Sequence, residues 1–517
     1  MNAQIKDKKR LGCKVGISAV VLALIAFAMG FVARSSPAVP KTFEEVDAYP
    51  NAYPEYVETT FPVNIAPANF RIEEDGDEFV TRIVAANGSE MRIGGRDVIF
   101  PERKWREFLS NSQGGKLAYE IFIKRDGTWK KFKSYGNCIS SDPIDPWIAY
   151  RLIEPGYEFG HRIFLAQRSL ESFKEEVFVD NRIIATSPCV NCHSFQDRKT
   201  DRFLFHFRRN GNLIKGGTIV VEGDKIQKIT AKFDAVDCSC SYPAWRPTGD
   251  LVAFSANQTR QTFHSLSTQK IEVYDIASNL ALLDVSKNEL IPISNTPDDF
   301  ETFPSWSPDG ASLYYCNAHV VLNTPLDQLE TRAEEVIGRI DDFHYNIMKM
   351  DFDETTRTFG EPQVVVDAAA REKTALFPRV SPDGNFLAYT LAKSGTFPIW
   401  RPEADLYIKD LRSGEERAWT EVNSNNTESY HTWSSTGRWL VFSSRREDGQ
   451  YTRLYFAHVD ENGHATKPFV MPQKNPNYNR ELFKSYNVPE LIVEPINISK
   501  SEVLKAFKSE PHVTTNK

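Results

Sequence analysis

The part of the sequence with the clearest chemical potential is a Cys-x-x-Cys-His segment formed by Cys189, Cys192 and His193. Two thiols at this spacing can react with the two vinyl groups of a haem, and the adjacent imidazole can bind the iron from one face. Three other uses stay open: a thioredoxin-like dithiol, a structural disulfide, or a zinc site completed by Cys238 and Cys240. Haem attachment is favoured because no strand–helix–strand pattern surrounds the segment and the sequence has no second Cys-x-x-Cys.

This segment resembles the haem-attachment motif of c-type cytochromes. The resemblance implies thioether bonds at Cys189 and Cys192, His193 as the proximal iron ligand, and one covalently attached haem c. Because the sequence contains a single Cys-x-x-Cys-His segment, a multihaem chain is excluded. Such attachment takes place outside the cytoplasm, so the interpretation requires that this part of the chain is exported.

A second iron ligand is predicted in the run that follows the motif. His206 is the nearest histidine after it and lies between phenylalanines at alternate positions. Strand alternation places His206 and Arg208 on the face opposite those phenylalanines. We therefore predict His206 as an iron ligand and Arg208 as the partner of a haem propionate. A surface or hydrogen-bonded His206 is the alternative, and His161, Met348 and Met350 remain open as ligands.

The N-terminus predicts a membrane anchor. Residues 1–34 have six basic residues and one acidic residue, a net charge of +5, so the remainder carries −12 of the total of −7. The uncharged run 15–32 would form about 27 Å of helix, close to the thickness of the bilayer hydrocarbon. Basic residues before this run place the N-terminus in the cytoplasm and the globule in the periplasm. A cleaved signal peptide, cut near Ala33 or Ala38, is the alternative.

The composition and the missing motifs narrow the classes of function. The 517 residues are 41% hydrophobic and 25% charged, which is typical of a globular protein and excludes wholesale disorder. A net charge of −7 argues against a nucleic-acid partner. Gly-x-Ser-x-Gly, P-loop and His-Glu-x-x-His motifs are missing from the sequence, so a prolyl-peptidase-like hydrolase, a nucleotidase and a metalloprotease lack support. Enzyme activity stays undecided, with a redox carrier or binding protein favoured.

Most of the chain consists of repeats of one pattern, aromatic-Pro-x-Trp-Ser-Pro-Asp-Gly followed by an apolar strand. Pro-Asp-Gly turns between apolar strands predict hairpins, and four strands in each repeat predict a propeller blade. The clear copies begin at Tyr242, Phe303, Phe377 and Tyr430. Weaker copies, with Trp147 and Phe195 at the tryptophan position, extend the count to six.

These repeats resemble those of TolB-type periplasmic propellers over roughly residues 140–475. The resemblance implies the fold and says much less about activity, because propellers host binding, catalysis and scaffolding alike. Two carboxylates, Glu301 and Glu428, are expected either to line the channel mouth near a haem or to be solvated at its rim. Three tryptophans are expected to pack in blade cores: Trp245, Trp306 and Trp433.

The predicted fold class is all-β, with a six-bladed β-propeller preceded by a small β-sandwich domain and an N-terminal transmembrane helix. The predicted segments are 1–34 (cytoplasmic tip and transmembrane signal-anchor), 35–60 (Pro-rich linker), 61–137 (β-sandwich-like domain), 138–480 (propeller with the haem motif at 189–193) and 481–517 (C-terminal tail). Four further cysteines, Cys138, Cys238, Cys240 and Cys316, allow three disulfide connectivities, of which Cys238–Cys240 is the least favoured.

The combined prediction is a monohaem c-type cytochrome, anchored in the bacterial inner membrane by a single helix, with its propeller in the periplasm. Electron transfer to a redox protein is the expected function, and the acidic globule favours a partner with a basic surface. One alternative is a TolB-like scaffold that binds an envelope protein and carries a structural or sensory haem. The other is a haem enzyme of the peroxidase type.

Overall fold

The computed structural model describes residues 36–154, 162–183, 189–208, 217–230, 239–266, 268–294 and 296–516. The predicted membrane anchor, in 1–34, lies outside these residues. Among the helices that are described, each is too short or too polar to cross a bilayer. The described chain is mostly β-strand, and its short α-helices are α1 Glu102–Asn111, α2 Leu329–Gly338, α3 Tyr478–Glu481 and α4 Lys500–Lys508.

The first part of the described chain contains two sheets. Its strands are β1 Glu44–Val46, β2 Ala52–Tyr53, β3 Thr60–Pro62, β4 Phe70–Ile72, β5 Glu78–Val84, β6 Glu90–Gly94, β7 Asp97–Val98, β8 Lys116–Arg125, β9 Thr128–Phe132 and β10 Tyr135–Ser140. Strands β2, β4 and β7 form a three-stranded sheet, and the others form a seven-stranded one. Strands β1 and β2 lie in the range predicted as a linker. They are ordered there because their backbones pair with β9 and β4.

This N-terminal part shares a hydrophobic core with the sheets that follow. The ring of Phe61 packs edge-on against Phe469, with centroids 4.8 Å apart. The Tyr56 hydroxyl donates a hydrogen bond to the Val470 carbonyl over 3.3 Å. Contacts between such distant parts of the sequence fix the N-terminal sheets against the rest of the globule.

The rest of the described chain forms six sheets, numbered I to VI. Sheet I contains β11 Trp147–Ile153, β12 Ile163–Ser169 and β13 Glu175–Asp180. Sheet II contains β14 Cys189–Phe195, β15 Arg202–Arg208, β16 Gly217–Glu222 and β17 Lys225–Thr230. Sheet III contains β18 Ser239–Trp245, β19 Leu251–Phe263, β20 Ile271–Asp284 and β21 Glu289–Pro292. Sheet IV contains β22 Asp299–Trp306, β23 Ser312–His319, β24 Asn346–Asp353, β25 Thr358–Phe359 and β26 Gln363–Val366. Sheet V contains β27 Thr374–Val380, β28 Phe386–Ala392, β29 Asp405–Asp410 and β30 Glu416–Ala418. Sheet VI contains β31 Glu428–Trp433, β32 Trp439–Ser444, β33 Arg453–His458 and β34 Phe469–Val470.

The end of the chain completes three of these sheets. Its strands are β35 Ser485–Ile492, β36 His512–Val513 and β37 Thr515–Asn516. Strand β35 pairs antiparallel with β11 and becomes the first strand of sheet I, while β36 and β37 add to sheets II and III. The range 481–517, predicted as a tail, therefore contributes strands. Trp147 lies in the second strand of sheet I, opposite Ile492, and not at the repeat position assigned to it.

The first strands of the six sheets lie around a common axis. Strands β14, β18, β22, β27, β31 and β35 each contact the next, and β35 contacts β14. A sheet edge left open exposes unpaired backbone groups, and the return of β35 covers the edge of β11. The fold is thus all-β and propeller-like.

Every one of these first strands contains the same bulge. One non-glycine residue has positive φ, and the register with the next strand shifts around it. Positive φ is uncommon for such residues, so its recurrence marks a conformation that the ring requires. The residue that follows is proline in four sheets and histidine, His193 or His431, in two. The bulge residues are Cys192, Tyr242, Phe303, Phe377, Tyr430 and Val488, with φ of 48°, 50°, 53°, 57°, 48° and 47°.

Deleting residues 481–517 should abolish cooperative folding of the globule. Tyr486, Leu491 and Ile492 of β35 are at most 1% exposed. Each such side chain contributes about 1.5–3 kcal/mol of burial, and together they approach the ~5–15 kcal/mol stability of a typical domain. Thermal unfolding followed by circular dichroism compares this truncation with one after residue 509, which retains β35. Equal melting temperatures for both truncations would contradict the role of β35.

Candidate functional site

The Cys-x-x-Cys-His segment lies on β14, the first strand of sheet II. Cys192 is the bulge residue and His193 follows it, so both leave the regular ladder with β15. Cys189 lies in the regular ladder and is half-buried, whereas Cys192 and His193 are buried. Both thiols are free. A bulged strand therefore presents the motif, with its last two residues turned out of the pleat.

The environment of the thiols bears on the alternatives to haem attachment. Burial raises the pKa of the Cys192 thiol, although the Tyr242 backbone N–H partly offsets this effect. A thioredoxin-like nucleophile needs the opposite shift, so the structure disfavours that use. Among the described residues, no three His, Cys, Asp or Glu side chains converge as a metal site would require. Cys238, a candidate zinc ligand, lies outside those residues, and the side chain of Cys240 is not described either.

His206 and Arg208 lie on β15 beside the motif. His206 pairs with Asn191 and Arg208 with Cys189 across the two strands. The phenylalanines at 203, 205 and 207 pack together in one core, and strand alternation puts His206 and Arg208 on the other face. His206 is fully buried, and the Arg208 Nη1 is 3.4 Å from the Thr259 hydroxyl.

Several buried polar groups around the motif have no hydrogen-bond partner within the described part of the chain. They are both ring nitrogens of His193 and of His206, Nε of Arg208, and Nε and Nη1 of Arg151. Arg151 belongs to β11 of sheet I. An unsatisfied buried polar group costs about 1–3 kcal/mol, and such groups are rare. These groups are therefore available to a bound ligand.

Burial also keeps the two imidazoles neutral. Burial, together with nearby positive charge, lowers the pKa of His193 and of His206 to about 3; the charge is that of Arg151 for His193 and those of Arg208 and Arg151 for His206. The Val488 carbonyl counteracts the shift of His193 without reaching hydrogen-bond geometry. Neutral imidazole is the form that binds metal ions.

An unpartnered imidazole does not mark the site by itself, as His431 shows. It occupies the position after the bulge in sheet VI, as His193 does in sheet II. It is buried, both ring nitrogens lack partners among the described residues, and burial lowers its pKa to about 3. The positions that correspond to the two thiols hold Thr427 and Tyr430. Of the two described sheets with an imidazole after the bulge, sheet II is the one that also has the two thiols of the motif on the same strand.

The bulge residues meet near the axis of the ring. The rings of Tyr242 and Phe303 have centroids 4.3 Å apart, as do those of Phe303 and Phe377, and Phe377 and Tyr430 follow at 4.7 Å. Cys192 occupies the equivalent position in sheet II. The motif therefore opens toward the centre of the ring, beside a row of aromatic rings in tilted contact.

A cavity of about 430 Å³ lies at the centre of the ring, next to His193. All six sheets contribute to its wall with the residues two and three positions after the bulge. Trp245, Trp306 and Trp433 are among them, and they are also largely buried in the cores between sheets. The residues two positions after the bulge are Ser194, Ala244, Ser305, Arg379, Thr432 and Glu490.

Sequence reasoning missed Glu490 of β35. Its Oε1 accepts a hydrogen bond from the Phe195 N–H at 3.1 Å, and its Oε2 is 3.9 Å from the His193 Nε2. Burial raises the pKa of Glu490 to about 7. The segment around it has Val488 at the position where the clear repeats have an aromatic residue, and it has no tryptophan or Pro-Asp-Gly turn, so it is not visible as a repeat.

Glu301 and Glu428 differ from both predictions made for them. Neither lines the cavity, and neither is solvated: Glu301 is 6% exposed and Glu428 is fully buried. Glu428 accepts hydrogen bonds from Ser424 and Ser444 at 2.7 Å and pairs with Arg446 at 3.0 Å. Their strands carry them into the packing between sheets, where a carboxylate needs internal partners.

The remaining candidates for an iron ligand lie elsewhere. Met350 belongs to a hydrophobic core with Trp306 and Phe352, and Met348 packs against the same core. Sheets III and IV form that core, whereas the motif lies in sheet II. His161 is outside the described residues.

No family model matches the sequence, and no curated protein matches it. Among similar solved structures, a prolyl endopeptidase is 12% identical over 62% of this chain, with a TM-score of 0.35, and the match covers 42% of its length. An oligogalacturonate lyase in complex with manganese is 13% identical over 80% of this chain and 99% of its own, with a TM-score of 0.32. Prolyl oligopeptidase B from Galerina marginata is 10% identical over 81% and 62%, with a TM-score of 0.34. At such TM-scores these likenesses carry no argument, and the fold rests on the sheet topology.

Replacing Glu301 by Gln should change how stability depends on pH between about pH 5 and 8. Burial raises the pKa of Glu301 from 4.5 to about 8, so in this range the folded state holds a proton that the unfolded state has lost. Stability contributed by this group is therefore present at low pH and falls as pH rises, by up to about 1.4 kcal/mol per pH unit.

Urea unfolding of the wild-type protein and the Glu301→Gln variant at several pH values measures this contribution as their difference. Glu334→Gln, on the exposed face of α2, is the control and should follow the wild type. Parallel profiles for wild type and Glu301→Gln would show that the prediction is wrong.

Proposed function

We propose that this chain is a monohaem c-type cytochrome of the bacterial periplasm, anchored by its N-terminal segment, which transfers electrons. One observation carries the proposal. Two free thiols, two unpartnered buried imidazoles and two incompletely paired guanidinium groups converge on one Cys-x-x-Cys-His segment. These are the groups that covalent attachment, iron binding and propionate recognition require.

The proposal includes a closed, six-bladed, TolB-like propeller with a small β-sandwich before it. The ring of contacts among six first strands and the bulge repeated in each support the blade count. The seven-stranded and three-stranded sheets of the N-terminal part support the sandwich. The basic residues and the apolar run in 1–34 support the membrane anchor.

Each residue of the motif has a distinct task in this proposal. Cys189 and Cys192 would hold the haem through thioether bonds, each formed when an S–H group adds across a vinyl double bond and consumes no further reactant. His193 would hold the iron through one ring nitrogen. The bound haem supplies a one-electron redox couple, and the protein holds it in place.

The residues around the motif suit the second ligand position of the iron and the two propionates of a haem. His206, unpartnered on the strand next to the motif, is the proposed second iron ligand. Arg151 and Arg208 bring two positive charges to the site, which match the two propionates of a haem. Placing these groups on β11 and β15 would brace the haem between sheets I and II.

The charge of the globule suggests the kind of redox partner. Outside residues 1–34 the chain carries −12, so a partner with a basic surface would be steered toward it. Such steering weakens as salt screens the charges.

Covalent attachment is the direct test of this proposal. Protein made together with a haem-attachment system and then denatured should keep haem on the polypeptide. Cys189→Ser and Cys192→Ser should each lose one thioether bond, and the double variant should release its haem on denaturation. Cys316→Ser, a buried free thiol in sheet IV, is the control and should retain covalent haem. Wild-type protein without covalent haem would refute the proposal.

The second iron ligand is tested by spectroscopy of the haem-loaded protein. His206→Ala should shift the visible absorption bands, because the iron loses a strong-field ligand. His431→Ala is the matched control, since that imidazole is equally buried and unpartnered but lies in sheet VI. An unchanged spectrum for His206→Ala would exclude His206 as a ligand.

A further inference from the structure

The cavity at the centre of the ring is lined partly by side chains to which the haem proposal assigns no role. Its wall contains tryptophans from three sheets, side-chain hydroxyls, and the guanidinium group of Arg379. We propose that this cavity binds a small organic carboxylate, whose carboxylate group pairs with Arg379 and whose body packs against the tryptophan walls.

Among the described residues of the cavity wall, Arg379 is the charged side chain that has no opposite charge within 4 Å. Its Nη1 donates a hydrogen bond to the adjacent Pro378 carbonyl at 2.8 Å, and no carboxylate of the described chain lies within 4 Å of it. Four of the other five sheets hold short side chains at the equivalent position, such as Ala244 and Ser305, and the fifth holds Glu490. The nearest opposing charge is that of Glu490 on the same wall, which acts on Arg379 from beyond ion-pair distance. A half-buried guanidinium that faces a cavity without a carboxylate in contact favours an anionic ligand.

The other charged groups of the wall have partners within the protein. The Arg198 Nε donates to the Trp433 carbonyl at 3.2 Å. Asp197 pairs with Lys199 at 3.1 Å, and Glu490 accepts the Phe195 N–H. The two carboxyl groups would repel a dianion such as hydrogen phosphate more strongly than a monocarboxylate. The charge pattern therefore selects a single carboxylate.

The size and walls of the cavity limit the rest of the ligand. A volume of about 430 Å³ is at the small end of the range for ligand sites, which suits a small molecule better than a peptide. The indole N–H groups of Trp306 and Trp433 already donate to the carbonyls of Ala244 and Arg379. These indoles thus offer mainly apolar surface to a ligand.

The proposal is tested by titrating the full-length protein with lactate and with benzoate as an aliphatic and an aromatic monocarboxylate. Intrinsic tryptophan fluorescence and calorimetry report binding. Saturable binding of at least one acid is expected, with the neutral amides, lactamide and benzamide, at least about tenfold weaker. The proposal fails if neither acid saturates by about 10 mM, if the amides bind equally well, or if inorganic phosphate binds as tightly as the acids.

Two variants assign the binding to this cavity. Arg379→Gln should weaken the acid at least about tenfold, whereas Arg125→Gln, on the exposed end of β8, should bind it as the wild type does. Ala244→Phe fills the cavity without changing its charge and should abolish binding, which keeps the test valid if Arg379→Gln does not fold. Wild-type affinity in either cavity variant would overturn the proposal. The titration is made on protein without haem, because His193 lines the same cavity. Its result therefore does not depend on whether the cytochrome proposal holds.

Discussion

The antiparallel pairing of β35 with β11 is the interaction on which the rest of the globule depends. Without it, sheet I lacks its first strand and the ring of first strands stays open between β31 and β14. The same strand brings Glu490 beside His193 and completes the cavity wall. Closure of the fold and assembly of the site are therefore one event, since both need the last strand in place.

The bulge shared by the six first strands explains how sheet II can carry the Cys-x-x-Cys-His segment while its backbone matches that of the other five sheets. A non-glycine residue with positive φ costs about 1–2 kcal/mol, yet the side chain at that position is an aromatic ring, a valine or a thiol. The ring thus constrains the backbone and leaves the side chain free to vary. Cys192 and His193 use that freedom, because both sit where the ladder is already interrupted.

Sequence reasoning succeeds where local chemistry is strong. Pro-Asp-Gly turns and tryptophans reveal four repeats, and three phenylalanines in alternation place His206 on the opposite face. It fails for sheet I, because β35 has neither signal and pairs with a strand more than three hundred residues away. Arg151 is not predicted as a site residue either, because its proposed role depends on sheet I lying beside sheet II, which no local pattern reveals. The prediction for Glu301 is wrong because a charged side chain suggests an exposed position, whereas the strand that carries Glu301 is buried.

The late position of β35 in the chain also has a consequence for the order of assembly. Strand β14 is synthesised long before β35, so the edge of β11 stays unpaired through most of synthesis and the contacts that close the ring have high sequence separation. Cys192 is 5% exposed once the ring is closed. The enzyme that would attach the proposed haem could therefore reach this thiol most easily before the ring closes. Slow closure of the ring would give that attachment more time.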